Sequence, residues 1–309
     1  MSRILVTGAT GFIGARVAER LAERGHQLAL LLRDPRDSDR AAALYSGATL
    51  IRGDLAAPQS YAPALRAFAP ETVIHAAWQG VAGANRNDAA QVANITAAVS
   101  LAEESAAAGA TAFVGLGSQA EYGPHSRMLD ETAETAPTTL YGQSKLAACQ
   151  ATQALCQAAK MRHAWLRVFS TYGPRDNTGW MIPSLIAALR AGQKLPLTPG
   201  EQNWGFLFVD DAADAIVAVA ETEAADGVFN LGASDAPQLR DTVTLLRDMV
   251  SPGTALGFGE VPYRPDQVMY LQADIQKLGR VTGWAPRVDL ATGLDKTVRW
   301  FTSRDGVPA

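Results

Sequence analysis

Short, unbroken apolar runs alternate with longer mixed stretches through the first half of the chain. Ile4-Leu5-Val6 and residues 28–32, 48–51, 72–75, 111–116 and 164–168 are runs of this kind. None alternates polar with apolar, which marks strands covered on both faces rather than the half-wet strands of an antiparallel sheet. The intervening stretches read as helices: one reaching about residue 24 and closed by Gly25-His26, then about 37–46, 61–68, 87–108 and 140–160. Six buried strands separated by helices predict an α/β fold, a doubly wound parallel sheet. After Gly173-Pro174 the pattern changes, with Pro183, Pro196, Pro199 and Gly200 breaking it into shorter pieces. A helix near 211–222 and a strand at 228–231 look like a return to the main sheet. Residues 238–250 and 290–301 read as helices of a smaller lobe. The expected division is residues 1–172, with 206–232 returning to them, and residues 173–309 mainly as a C-terminal substrate-binding lobe.

Composition narrows the function. The 309 residues are 48% hydrophobic and 19% charged, enough apolar mass for a large core. The 27 basic and 31 acidic side chains leave a formal net charge of −4, which gives no electrostatic footprint for nucleic acid or an anionic membrane. Cys149 and Cys156, the only cysteines, make neither a disulfide framework nor a zinc site, and no metal is expected. No apolar run is long enough to span a bilayer, and Arg3-Ile4-Leu5-Val6 shows no signal-peptide architecture. The expectation is a cytoplasmic protein.

Three sets of residues carry chemistry. Gly8, Gly11 and Gly14 lie between a predicted strand and a predicted helix, where glycines allow the backbone to approach a pyrophosphate and the helix start presents free N–H groups to it. The second strand ends in Leu32-Arg33-Asp34. An acidic residue there would select NAD through the ribose hydroxyls; an Arg offers a cation for a 2′-phosphate. NADP, as NADPH, is therefore favoured over NAD, with Arg33 as a plain loop charge the competing reading. Asp54, after the third strand, can accept from the adenine amine or simply shape a turn. Tyr141 and Lys145, four apart, share a helix face, so the ammonium favours the phenolate and the Lys can hold a ribose. Ser118, at the carboxyl end of the fifth strand, faces the ligand crevice and can donate to a carbonyl oxygen.

The sequence resembles an extended short-chain dehydrogenase/reductase, of the nucleotide-sugar epimerase/dehydratase type, over nearly its whole length. The residues that carry the likeness include Thr7 to Gly14, Gly53-Asp54-Leu55, His75-Ala76-Ala77, Asn94, Ser118 to Gly123, Tyr141 with Lys145, Arg167-Val168-Phe169, Tyr172-Gly173-Pro174 and Phe208-Val209-Asp210-Asp211. Asn230-Leu231-Gly232 and Gly283-Trp284-Ala285-Pro286 extend it. The resemblance implies a Rossmann domain and a Ser118, Tyr141, Lys145 catalytic triad. It adds Phe12, Ile13, Leu55, Ala76, Ala77 and Asn94 to the cofactor site, Asn94 being equally readable as a buried structural amide. It also implies a homodimer paired through the two long helices as a four-helix bundle.

Within that family, 4,6-dehydratases need an acid/base just after the catalytic Ser, where this chain has Gln119 and Ala120. Epimerases retain NAD, against which Arg33 argues. The implied activity is NADPH-dependent reduction of a nucleotide-linked 4-keto-6-deoxyhexose, a step of deoxysugar biosynthesis. An NAD-dependent 4-epimerase is the alternative within the family, and a non-catalytic dinucleotide-binding regulator the alternative outside it. For the nucleotide-sugar substrate, the resemblance points to Gln119, Ser170, Arg175, Trp204 and Arg264. Two departures stand out: Trp204-Gly205-Phe206 replaces a diphosphate-clamping Arg segment, and Ser170 replaces an Asn. Trp204 reads equally as a stacking platform or as lobe packing.

Overall fold

The computed structural model describes residues 1–34, 39–264 and 267–303. Its centre is one sheet of seven strands: β1 (Arg3–Thr7), β2 (Gln27–Leu32), β3 (Thr49–Arg52), β4 (Thr72–His75), β5 (Ala112–Ser118), β6 (Arg162–Val168) and β7 (Gly227–Leu231). The order is β7-β6-β5-β4-β1-β2-β3, with every neighbouring pair parallel. The chain enters at β1, winds outward to β3, crosses back to β4 and winds the other way. The reversal between β1 and β4 opens a crevice at the carboxyl ends of the strands. The expected doubly wound parallel sheet is what the chain forms.

Strand periodicity sorts the core into two layers. Ile4, Val6, Leu28 and Leu30 face α1 (Phe12–Glu23) and, further along the sheet, α6 (Val209–Glu221). Leu5, Ala29, Leu31, Val73 and Phe113 face the opposite layer of α2 (Ala62–Phe68), α3 (Gln91–Ala107) and α4 (Leu140–Ala158). On the first layer α1 and α6 are also joined by charge. Arg16 Nε lies 2.7 Å from Asp210 Oδ1, and Arg20 Nη2 lies 3.2 Å from Asp210 Oδ2. All three groups are partly shielded from solvent, and one carboxylate shared by two guanidiniums forms a network rather than an isolated surface pair.

The smaller lobe packs α5 (Met181–Arg190), α7 (Leu239–Val250) and α9 (Leu290–Thr302) around Ile186, Leu246 and Leu294. Pro183 is no breaker, because it lies in the first turn of α5, where the missing N–H would have no intrahelical partner. Segments beyond residue 173 also pack with the sheet domain. Phe206–Phe208 pairs with Ser170–Tyr172 and runs straight into α6. Further on, α8 (Gln276–Thr282) buries Leu278 in the sheet's first layer, as does Trp284 beyond it. Two expected helices are shorter than the sequence pattern implied. The stretch at 37–46 is a 3₁₀ segment, Asp39–Leu44, with 37 and 38 outside the described residues. At 87–108, Asp88 Oδ1 accepts the Ala90 N–H, and α3 starts only at Gln91.

Candidate active site

The glycine loop leaves β1 with Gly8 at φ +74°, the left-handed region glycine tolerates. A Cβ on Gly8 would lie 2.6 Å from Ala77 N, and one on Gly14 would lie 2.2 Å from Gly8 O. Loop, β4 end and helix therefore interlock at distances no side chain permits. Gly11 is the N-cap of α1 and supplies no side-chain cap, so the first-turn N–H groups keep their capacity to bind an anion. This is the cradle a pyrophosphate fits.

Two cavities meet at that loop. One, of about 250 Å³, is lined by Gly8, Gly11, Arg33, Asp54, Leu55, Ala76, Ala77 and Asn94. The other, of about 380 Å³, is lined by Gly8, Gly11, Phe12, Ile13, Gly14, Ala76, Ser118, Gln119, Tyr141, Lys145, Ser170 and Trp204. The sequence-predicted cofactor residues thus gather in one crevice, Arg33 and Asp54 at one end and Ser118, Tyr141 and Lys145 at the other. A nicotinamide dinucleotide fits that arrangement. Asp54 Oδ1 accepts the Ala56 N–H, so Asp54 shapes the turn after β3. Asn94 exchanges hydrogen bonds with the backbone of Gln79, Oδ1 accepting at 3.1 Å and Nδ2 donating at 3.2 Å, which pins the loop after β4.

Ser118 ends β5 in an extended conformation and caps a 3₁₀ turn, Gln119–Glu121. Tyr141 and Lys145 lie in the first turns of α4, whose N-cap Thr139 accepts the Gly142 N–H at 3.1 Å. Burial pushes the Tyr141 phenol upward, Ser118 and Arg86 pull it back, and Glu121 adds to the rise. Burial lowers Lys145 to about 7, against the charge of Glu121. The ammonium donates to Leu116 O at 2.5 Å and sits 3.8 Å from the centre of the Trp78 ring. Glu121 is fully buried and accepts from Ser118 N at 2.8 Å, Trp165 Nε1 at 3.0 Å and Arg167 Nε at 2.8 Å.

On the lobe side a further cavity of about 250 Å³ continues the cleft, sharing Ser170, Thr171, Asp176, Trp180 and Trp204 with it. Trp204 faces both. Two predicted substrate residues are not brought there. Arg175 donates from both Nη atoms to the Glu19 carboxylate at 2.7 Å, a fork-to-fork pair that occupies its guanidinium. Arg264 is exposed and lines neither cavity, although its carbonyl accepts the N–H of Gln267, which does. Sequence reasoning missed Trp78, Arg86, Asp176 and Trp180, all of which line the cleft. Trp78 directly follows the quoted His75-Ala76-Ala77, and Asp176 follows Gly173-Pro174-Arg175. Proximity to recognised segments was the only signal available.

Sheet, glycine cradle and the Ser, Tyr, Lys set together define a short-chain dehydrogenase/reductase. Residues 4–232 match the profile of the NAD dependent epimerase/dehydratase family, and the chain belongs to that family. It is 30% identical to the dTDP-6-deoxy-L-talose 4-dehydrogenase (NAD(P)(+)) of Kitasatospora kifunensis, over 93% of this chain and 91% of that protein. It is 27% identical to the UDP-glucose 4-epimerase of Mycolicibacterium smegmatis, over 98% and 99%. Among solved structures, the UDP-glucose 4-epimerase of Thermotoga maritima with UDP-glucose superimposes with a TM-score of 0.89 at 23% identity, covering 97% of this chain and 99% of that one. No helix among the described residues is long and apolar enough to cross a membrane, and those residues hold no metal-binding cluster.

Asp176 gives the site a measurable pH dependence. Burial raises its carboxyl to about 7, with the Asn177 N–H and the Arg40 charge only partly opposing the rise. Between the ordinary carboxylate range and that value the folded chain holds a proton that the unfolded chain has lost. The resulting stabilisation is complete below about pH 4 and disappears as pH rises through 7. Asp176→Asn keeps the acceptor and fixes the neutral form. Urea melts at a series of pH values are expected to show the variant gaining on the parent protein as pH rises from about 4 to 7 and levelling off above that, by on the order of 4 kcal/mol at full ionisation. A pH-independent difference would rule out this titration.

Proposed function

We propose that this chain reduces the C4 ketone of a nucleotide-linked 4-keto-6-deoxyhexose with NADPH, in a reducing cytoplasm. The observation that carries the reading is the content of the cleft beside Ser118. Tyr141 and Lys145 converge there, while Gln119 and Ala120 hold the positions from which a dehydratase would move a second proton. Bound at the glycine cradle, the dinucleotide supplies hydride. Tyr141 gives its proton to the carbonyl oxygen as negative charge develops on it, and Ser118 donates a hydrogen bond to the same oxygen. Lys145 holds a ribose and, when charged, favours the phenolate. Arg33 offers its cation to a 2′-phosphate at the far end of the crevice.

A second reading, an NAD-dependent 4-epimerase using the same side chains, is favoured by the likeness to 4-epimerases. Absorbance and turnover of the purified protein separate the two. A reductase consumes added NADPH with a 4-keto nucleotide sugar; an epimerase keeps its dinucleotide through purification and interconverts 4-epimers with none added. We also propose a homodimer through the outer faces of α3 and α4, where Val92 is exposed.

Three outcomes are expected. Tyr141→Phe retains the ring and loses the acid, so single-turnover reduction slows on the order of 10²–10⁴-fold, and Ser118→Ala by about 10²-fold, with cofactor affinity little changed. A near-full rate in Tyr141→Phe with cofactor bound would refute the assigned acid. Arg33→Asp weakens NADPH and improves NADH in competition binding; an unchanged preference removes Arg33 from cofactor selection. Light scattering at micromolar concentration gives twice the chain mass, and a monomer there contradicts the dimer.

A further inference from the structure

Arg86 has no part in the reaction as described, yet it stands over its central residue. The guanidinium carbon lies 4.7 Å from the centre of the Tyr141 ring, and the buried Nε has no hydrogen-bond partner. The surrounding loop is braced. Gln91 Nε2 donates to Gly80 O at 2.7 Å and Asn85 O at 2.9 Å. Asn87 Oδ1 accepts the N–H of Leu140, the residue before Tyr141, at 3.0 Å. Loop and helix are thus registered so that residue 86 meets residue 141. Lys145 is the more distant cation, 6.0 Å from the Tyr141 ring, and it is engaged by Trp78 and by Leu116 O.

The groups facing Tyr141 come from several elements: Arg86 from the β4–α3 loop, Ser118 and Glu121 from the end of β5, and Lys145 from α4 itself. Asp176 lines the same cleft from the lobe side. Among the cations, Arg86 is nearest the ring, and an Arg guanidinium keeps its charge across the working range. A cation over an aromatic face gains further when the ring becomes a phenolate.

We propose that Arg86 is a positioning residue that makes the Tyr141 proton available, its fixed charge stabilising the phenolate left behind. The inference rests on Tyr141 as the acid, and on no choice between reductase and epimerase. Protein labelled with ¹³C-tyrosine, its Tyr141 resonance assigned with Tyr141→Phe, is titrated by NMR without substrate. Arg86→Met is expected to move the Tyr141 midpoint upward by about one unit or more. Arg86→Lys is expected to keep most of the parent value, and Lys145→Met to move it less than Arg86→Met. NADPH affinity stays within about twofold in Arg86→Met, since the residue acts on the phenol. Should Arg86→Met fail to fold, Arg86→Gln carries the same comparison. A midpoint unmoved by loss of the guanidinium, a larger shift in Lys145→Met, or loss of NADPH binding in Arg86→Met overturns the proposal. Failure of the reduction assay alone, with the midpoint shifted, leaves the proposal standing and removes only the choice of reaction.

Discussion

A carboxylate sealed from water must have its charge met by donors, because a buried ion left without partners costs several kcal/mol. Glu121 meets that demand with three: a backbone N–H, an indole and a guanidinium. The reactive end of the sheet is built around this requirement. Trp165 reaches Glu121 by lying across β5, where a Cβ on Gly115 or Gly117 would come within 2.2 Å of its ring. Arg167 stacks on Tyr122 at 4.4 Å, and the Tyr122 hydroxyl donates to Asn230 Oδ1 in β7 at 2.7 Å. One carboxylate thereby fixes β5, β6 and β7 relative to one another and fixes the backbone of Ser118 with them.

The crevice on that platform divides its labour unevenly. At the glycine loop its wall is backbone, with the first-turn N–H groups of α1 left without a side-chain cap. At the lobe its wall is aromatic: Trp180, Trp204 and Phe206, with Gln202 nearly fully buried and its Oε1 unpartnered. Arg175, a cation in this neighbourhood, is drawn instead to Glu19 of α1, bracing the segment that enters the lobe.

The sheet was legible in the sequence because its strands are buried on both faces, so each reads as an unbroken apolar run; Ile4-Leu5-Val6 supplies both layers at once. Gly8, Ser118, Tyr141 and Lys145 were legible because each stands at a fixed place in a βα unit: Gly8 at the turn after β1, Ser118 at the end of β5, and Tyr141 and Lys145 at the start of α4. The lobe was harder to read. Its strands are two or three residues long, and Pro183 signals a break in sequence while serving as a helix start in space. Arg175 shows a different limit: a motif can place a cation beside a site, but only the fold reveals Glu19 alongside it. Arg86 and Asp176 carried no pattern, because their importance arises from which loops the topology brings together.

The ion pairs of Asp210 reach beyond the layer they hold together. α1 begins where the glycine loop ends, and α6 begins where the strand after Trp204 ends. Arg16, midway along α1, and Arg20, in its last turn, join that helix to the first turn of α6. The span between the glycine loop and the aromatic wall is then braced by a strut on the outside of the sheet. The length of the crevice is thereby a property of helix packing, held by three charged groups that line none of it.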